Sequence, residues 1–290
     1  MSSVTSDTGG PGGPDRVERH DPAVGQSPLR TTLDLTWRQL DYWLTVYRRT
    51  WKGSVVSSFL MPVLYLAAMG IGLGGFIDSP GAQQRLGGVS YLEFVAPGLL
   101  AATAMQTALG ESTYPVMGNF RWTKVYLAMV ATPLSVASVL LAHLGYVAFR
   151  LVTTCAVFLL VLSLFGLVPG VGAALLALVV AVVVGLAHAT PVFAYAAHLK
   201  DTGGFAVLFR LGVIPMFLFS GAFFPVAQLP GLFEGLAYVT PLYHGVELAR
   251  MLTTGEPALG MGLLHLAYLL AWLGVGGWLA HRVFTRRLVN

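Results

Sequence analysis

The sequence predicts an all-α integral membrane protein. Six transmembrane helices are expected, with an amphipathic helix in the interface before the first and an outer re-entrant helical hairpin between the fifth and sixth. Three observations predict this class. Of the 290 residues, 56% are hydrophobic and 10% charged, against roughly 45–50% and about 25% in ordinary globular chains. Six stretches reach the roughly 20 consecutive apolar residues that a helix needs to cross a bilayer core. Lysines and arginines gather in alternate connecting segments, the asymmetry that marks cytoplasmic loops.

Residues 1–32 are polar and rich in Gly, Pro and Ser, a composition that buries too little apolar surface to offset its ordering entropy. A disordered cytoplasmic tail is expected there. It contains no apolar run of the kind a cleaved secretory signal requires. Next comes LDLTWRQLDYWLTVYRRTWKG, residues 33–53, in which Leu33, Trp37, Leu40, Trp43, Leu44 and Tyr47 recur at spacings of three and four. Charged residues take the other faces, so this segment reads as a helix lying in the membrane interface with its aromatics at headgroup depth.

The expected spans cover residues 54–76, 93–113, 143–168, 171–197, 206–227 and 261–283. Apolar character before the third begins already at Pro133, which reads as an amphipathic extension. Pro62, Pro191 and Pro215 fall inside spans, where neighbouring helices can satisfy the carbonyls a proline frees. The Gly70-x-x-x-Gly74 spacing lets backbones approach closely, as small residues do in membrane helices generally. With the N-terminus inside, all of the 17 lysines and arginines except Arg85 and Arg250 fall in cytoplasmic segments or toward inner helix ends. Asp78, Glu93, Glu234, Glu247 and Glu256 fall on the outer side. Both termini are therefore expected in the cytoplasm, and the net charge of +4 needs no nucleic-acid partner, because anionic lipid headgroups attract the same basic segments.

Two connecting segments stand out. ALGESTYPVMGNFRWTK, residues 108–124, places a carboxylate, Glu111, at the end of an apolar helix, then a Tyr-Pro break, then an aromatic and basic run. Residues 219–256 are too long for a turn and too apolar for an aqueous loop, and Pro225, Pro230 and Pro241 divide them into short pieces of helical pattern. Non-spanning backbone at membrane depth persists only against protein or a cavity, so a re-entrant hairpin over about 228–256 is expected.

Little here resembles a catalytic centre. Ionisable groups within a membrane are costly and mark function by default; Glu111 and Arg150 are the candidates, and pairing with each other would account for both. His143, His188, His198 and His244 supply no short helical spacing of the kind zinc ligands use. His188 and His198, ten residues apart, are about 280° apart around a helix. The single cysteine, Cys155, forms no intrachain disulfide and no multi-cysteine metal or redox site. No G-x-S-x-G elbow and no phosphate-binding G-x-x-x-x-G-K-[ST] loop occurs. No metal, catalytic residue or cofactor is assigned to this chain, and any ATP used must be bound by another polypeptide.

The ordered elements resemble a known family. Residues 91–135, YLEFVAPGLLAATAMQTALGESTYPVMGNFRWTKVYLAMVATPLS, followed by FFPVAQLP and TPLYHGVELAR, are similar to the type-two ABC exporter permeases. The nearest branch is that of the nodulation lipo-oligosaccharide permeases, with daunorubicin-resistance permeases as relatives. The resemblance runs over about residues 33–288. It implies a multi-pass subunit of the cell membrane that pairs with a second permease copy or a paralogue, each docking a separate ABC ATPase that carries ATP and Mg. It further implies that Asn119, Phe120, Arg121, Trp122, Lys124 and Tyr126 form the element coupling to that ATPase. Spans two and five would line the transport cavity, which names Thr103, Met105, Gln106, Met216, Phe217 and Phe219. Amphiphilic cargo such as a lipo-oligosaccharide, a glycolipid or a hydrophobic drug is expected. An intramembrane lipid-modifying enzyme using Glu111 and His244 is the alternative, and a channel or proton-coupled carrier a third class.

Overall fold

The computed structural model describes residues 34–45, 47–48, 60, 63–74, 79–255 and 258–289. The expected tail and residues 54–59, 61–62 and 75–76 of the first expected span lie outside the described residues. Helix α1 covers residues 34–45 and α2 residues 63–74, the latter π-wound over Ala67–Gly74. The remaining helices are α3 (Pro80–Arg85), α4 (Tyr91–Ser112), α5 (Tyr114–Arg121), α6 (Val125–Val130), α7 (Val136–Leu164), α8 (Val171–His198), α9 (Gly203–Phe219), α10 (Gly231–Val239), α11 (Pro241–Thr253) and α12 (Leu259–Leu288). The described residues contain no β-strand.

Local chemistry explains the helix ends. Ser90 opens α4 by accepting from the Glu93 amide, while the Glu93 carboxylate accepts from the Ser90 amide at 2.7 Å; this reciprocal capping box satisfies two otherwise orphaned donors. At the other end Thr113 interrupts the helix, its hydroxyl donating to the Leu109 carbonyl at 2.8 Å. Pro115, lacking an N–H, then fits the first turn of α5. Lys124 adopts a left-handed conformation, φ 53°, and reverses the chain into α6. Ser135 caps α7. That helix runs unbroken from Val136, so the expected amphipathic extension and the third span are one continuous helix.

Among the described residues, four helices are long and apolar enough to cross a membrane: Tyr91–Arg121, which joins α4 to α5, and then α7, α8 and α12. Helix α9, the fifth expected run, is shorter. Its middle, Leu208–Val213, is π-wound. Helix α4 is the most buried and forms the centre, with α7, α8 and α11 packed around it. Helix α12 lies along α8, and α11 fills the groove between α4, α8 and α12. Large apolar residues such as Leu160, Leu175, Val179, Leu263, Val275 and Trp278 point outward. Such faces suit hydrocarbon rather than water.

Glycines set the closest approaches. A Cβ on Gly276 of α12 would lie 2.4 Å from Thr190 Oγ1 and 2.7 Å from the Pro191 nitrogen on α8. A Cβ on Gly98 of α4 would lie 2.6 Å from the Cα of Ala222, in the turn after α9. Each contact brings backbone nearly against backbone, as small residues permit.

Candidate functional site

The segment from Thr113 to Val130 is built outward from an aromatic core. Phe120 and Tyr126 are buried and meet edge to face at 4.8 Å, and both rings reach Phe284 near the end of α12. The Tyr126 hydroxyl is hydrogen-bonded to Nδ1 of His143 on α7. Burial pushes that hydroxyl's pKa up, opposed by the Asn119 side chain's hydrogen bond. On its other face His143 stacks against Trp43 of α1, ring centroids 4.2 Å apart. The guanidinium of Arg287 caps Phe120 at 4.9 Å and donates to the Ala197 carbonyl at the end of α8. Trp122, 61% exposed, and Lys124 face outward, while Arg121 and Asn119 are half-buried. Tyr114 of α5 meets Phe205 at the start of α9 at 4.8 Å.

The structure brings Glu111 and Arg150 together. Arg150 Nε donates to Glu111 Oε1 at 2.9 Å, with side chains 13% and 21% exposed for Arg and Glu respectively. The same guanidinium lies 5.0 Å from the centre of the Tyr47 ring. The pair thus joins α4 to α7 and touches residue 47, beyond α1.

Between α8, α9, α10 and α12 lies a cavity of about 620 Å³. Its walls include Pro191 and Tyr195 of α8, the π-wound stretch of α9, Phe233 and Leu236 of α10, the Thr240–Pro241 turn and Trp272 of α12. Of the six residues expected to line a cavity, Met216 and Phe219 do so here. Phe217 instead packs edge to face on Phe223. Met105 is fully buried within the bundle, Thr103 is half-buried and Gln106 is exposed; none of the three belongs to this wall.

The region of α10 and α11 holds two polar clusters. Nε2 of His244 donates to the Tyr238 carbonyl at 2.9 Å, so its Nδ1 accepts, from Nδ1–H of His265 on α12 at 2.8 Å. Tyr268 stacks on His244 at 3.9 Å and donates to the Val239 carbonyl. Arg250 pairs with Glu247, donates to the Gly221 carbonyl at 2.7 Å and lies 4.0 Å over the Phe94 ring. It therefore ties α11 to α4 and to the turn after α9. The histidine pair escaped the sequence reading because its members are 21 residues apart on different helices, beyond any single-helix periodicity. Glu111 and His244, the residues an enzyme reading would use, each have separate partners and do not meet.

Comparison with known proteins agrees with this architecture. The family model for the ABC-2 type transporter matches residues 34–253. The chain is 31% identical over 255 residues to Nodulation protein J of Rhizobium leguminosarum bv. viciae, covering 86% of this chain and 95% of that protein. It is 30% identical over 255 residues to Nodulation protein J of Rhizobium leguminosarum bv. trifolii, covering 86% and 94%, and 29% identical over 254 residues to that of Rhizobium meliloti strain 1021, covering 85% and 94%. With its bundle of long apolar helices and its outward apolar faces, the chain belongs to the ABC-2 type transporter family and is a multi-pass membrane permease component of that family.

Proposed function

We propose that this chain is the membrane-spanning subunit of an ATP-driven exporter that moves an amphiphilic or lipid-like molecule across the cell membrane. Family membership over residues 34–253 carries the reading. Two copies, or one copy and a paralogue, would form the membrane unit, each docked by a separate ABC ATPase holding ATP and Mg. Six spans are counted by adding residues 54–76 and α9, and both termini then face the cytoplasm, with α5 and α6 on that side. Helices α10 and α11 form a hairpin that enters the membrane from the outer side. The Thr240–Pro241 turn between them reaches the same cavity as Leu109, near the far end of α4, which favours a hairpin that dips inward.

The segment after span two divides its labour. Trp122 and Lys124 present an aromatic and a cation to the ATPase, with Arg121 beside them. Phe120 and Tyr126 face inward and hand displacement to α12 and, through His143, to α7 and α1. Tyr114 passes it to α9 through Phe205. Alternating access follows when ATP draws the two ATPases together and these levers tilt the helices. The test is the double substitution Arg121→Glu with Trp122→Ala, co-expressed with the ABC ATPase that the unmodified chain recruits. Recovery of the ATPase in pulldown should fall at least tenfold while membrane insertion stays normal; normal complex yield with normal transport refutes the assignment.

A further inference from the structure

The C-terminal end of α12 carries positive charge that no carboxylate answers. Arg282 and Arg286 are both exposed, and with His281 they line a recess of about 410 Å³. Thr285 also lines it, but its hydroxyl donates to the His281 carbonyl at 2.8 Å. The donors left free are the two guanidiniums and the imidazole. Helix α12 contains no Asp or Glu, and the ion pairs among the described residues, Arg150 with Glu111 and Arg250 with Glu247, do not involve this end. Arg287, by contrast, is held by the Phe120 ring and the Ala197 carbonyl.

Arg282 also leans the wrong way for a solvated cation. Its guanidinium lies 3.9 Å over the Trp278 ring, one turn back along α12, because helical side chains tilt toward the N-terminus and a ring face attracts a cation. The helix has 30 residues, about 45 Å at about 1.5 Å each, against a hydrocarbon core of about 30 Å. Centred in the bilayer it clears each face by about 7 Å, so Arg282, about 9 Å from the end, starts at the hydrocarbon edge and carries its charge inward. An arginine near a helix end ordinarily snorkels outward instead. Leu264, Val275 and Trp278 are each more than half exposed. Val275, Trp278, Arg282 and Arg286 fall within about 80° of one another around the helix, opposite the buried Gly276, Ala280 and Phe284. One outward face therefore runs from apolar to cationic, in the order of a lipid's tail and an anionic headgroup.

We propose that this face holds a net-anionic phospholipid, its phosphate between Arg282 and Arg286 with His281 alongside, and an acyl chain along Trp278 and Val275. Charge sets the class. A zwitterionic headgroup brings a cation of its own, which two unpaired arginines repel, whereas a net-anionic one does not. The occupant is a component of the bilayer held at the perimeter of the bundle, and Arg282 lies about 15 Å along α12 from Trp272, where that helix meets the cavity beside α9. The site requires α12 to cross the bilayer but neither an ATPase nor a second copy, so it stands apart from the exporter reading and its cargo.

The test uses the full chain in phosphatidylcholine nanodiscs with two photoprobes, used in turn at the same low mole fraction. They are a phosphatidylglycerol and a phosphatidylcholine carrying the same diazirine-bearing acyl chain, with adducts mapped by mass spectrometry. Leu141, exposed on α7 at the same end of the bundle, gives the reference. Relative to adducts around Leu141, those over residues 275–286 should be at least fivefold more frequent with the phosphatidylglycerol probe, the scale of a single basic side chain at an anionic surface. Arg282→Gln with Arg286→Gln should bring that ratio to about one. Trp278→Ala keeps every charge but frees Arg282 to snorkel, and should lower the ratio about twofold to threefold; diffuse attraction of a basic helix end to an anionic surface predicts no change. A ratio near one in the unmodified chain, a preference that survives the double substitution, or one untouched by Trp278→Ala overturns the proposal. Disulfide-linked dimers of Val275→Cys in membranes would show a second copy covering this face and overturn it too.

Discussion

Neutralising Glu111 should destabilise the bundle, and neutralising Arg150 with it should restore part of the loss. At 2.9 Å, with the two side chains 13% and 21% exposed, the pair is mostly but not fully removed from solvent. An effective dielectric of about 20 gives an attraction of roughly 4 kcal/mol at contact, and stranding one member of a fully buried pair costs about 3–5 kcal/mol. Residual exposure lowers both figures, so Glu111→Gln is expected to cost about 2–3 kcal/mol. Arg150→Met should cost somewhat more, because the guanidinium also meets the Tyr47 ring. In the double variant no charge is left unpaired, and a coupling energy of about 1–3 kcal/mol should appear in the cycle. Reversible unfolding in mixed micelles, or steric trapping in bicelles, measures all four corners. Additive single effects, with coupling below about 0.5 kcal/mol, would refute a structural pairing. Glu111 would then need another role.

Three further outcomes follow from the packing. Gly276→Ala places a methyl 2.7 Å from the backbone nitrogen of Pro191, which cannot rotate away, so α8 and α12 must separate at a cost of about 1–3 kcal/mol. Gly277→Ala, which meets open space, should instead be neutral or stabilising by about 0.5–1 kcal/mol, and the two melting temperatures compared directly check the contact. Trp43→Ala removes a buried ring that stacks on His143, with an expected loss of about 3–5 kcal/mol and faster proteolysis of α1. Burial holds the His244 imidazole below its ordinary pKa, the Tyr238 carbonyl opposing and His265 adding to the depression. The unfolded chain therefore takes up a proton at about pH 6.5 that the folded chain resists. Stability should be full above that pH and decline as pH falls through it; a pH 5 melting point equal to that at pH 7.5, or a loss undiminished in His244→Gln, would contradict this.

Much of the architecture was legible because hydrocarbon demands long apolar runs, and α4, α7, α8 and α12 each supply one. Ser90 and Glu93 also spell a capping box three residues apart, although Glu93 was read only as an outer-side charge. Helix rotation was harder to read. Because α4 is apolar all round, its pattern marks no single face, so the sequence does not fix which way Thr103, Met105 and Gln106 point, and none of them lines the cavity beside α9. Around α9 the neighbours include α10 and the Thr240–Pro241 turn, whose position depends on contacts far apart in sequence. Phe120 and Tyr126 illustrate the same limit. Composition marked an aromatic and basic segment, but only packing against Phe284 and His143 separates its inward anchors from its outward Trp122 and Lys124.

Helix α9 is fastened at both ends. Tyr195 and Tyr114 hold its start, through the Gly204 carbonyl and the Phe205 ring, and the Gly221 turn just past its end is gripped by Arg250. A rod fixed at two points can move only by bowing or by changing length. The six residues Leu208–Val213 hold slack for the second course, since a π turn packs more residues into each turn than an α turn does. Rewinding them would lengthen the strut without loosening either fastening. The wall of the cavity would then be redrawn by a change in helical pitch rather than by a swinging gate.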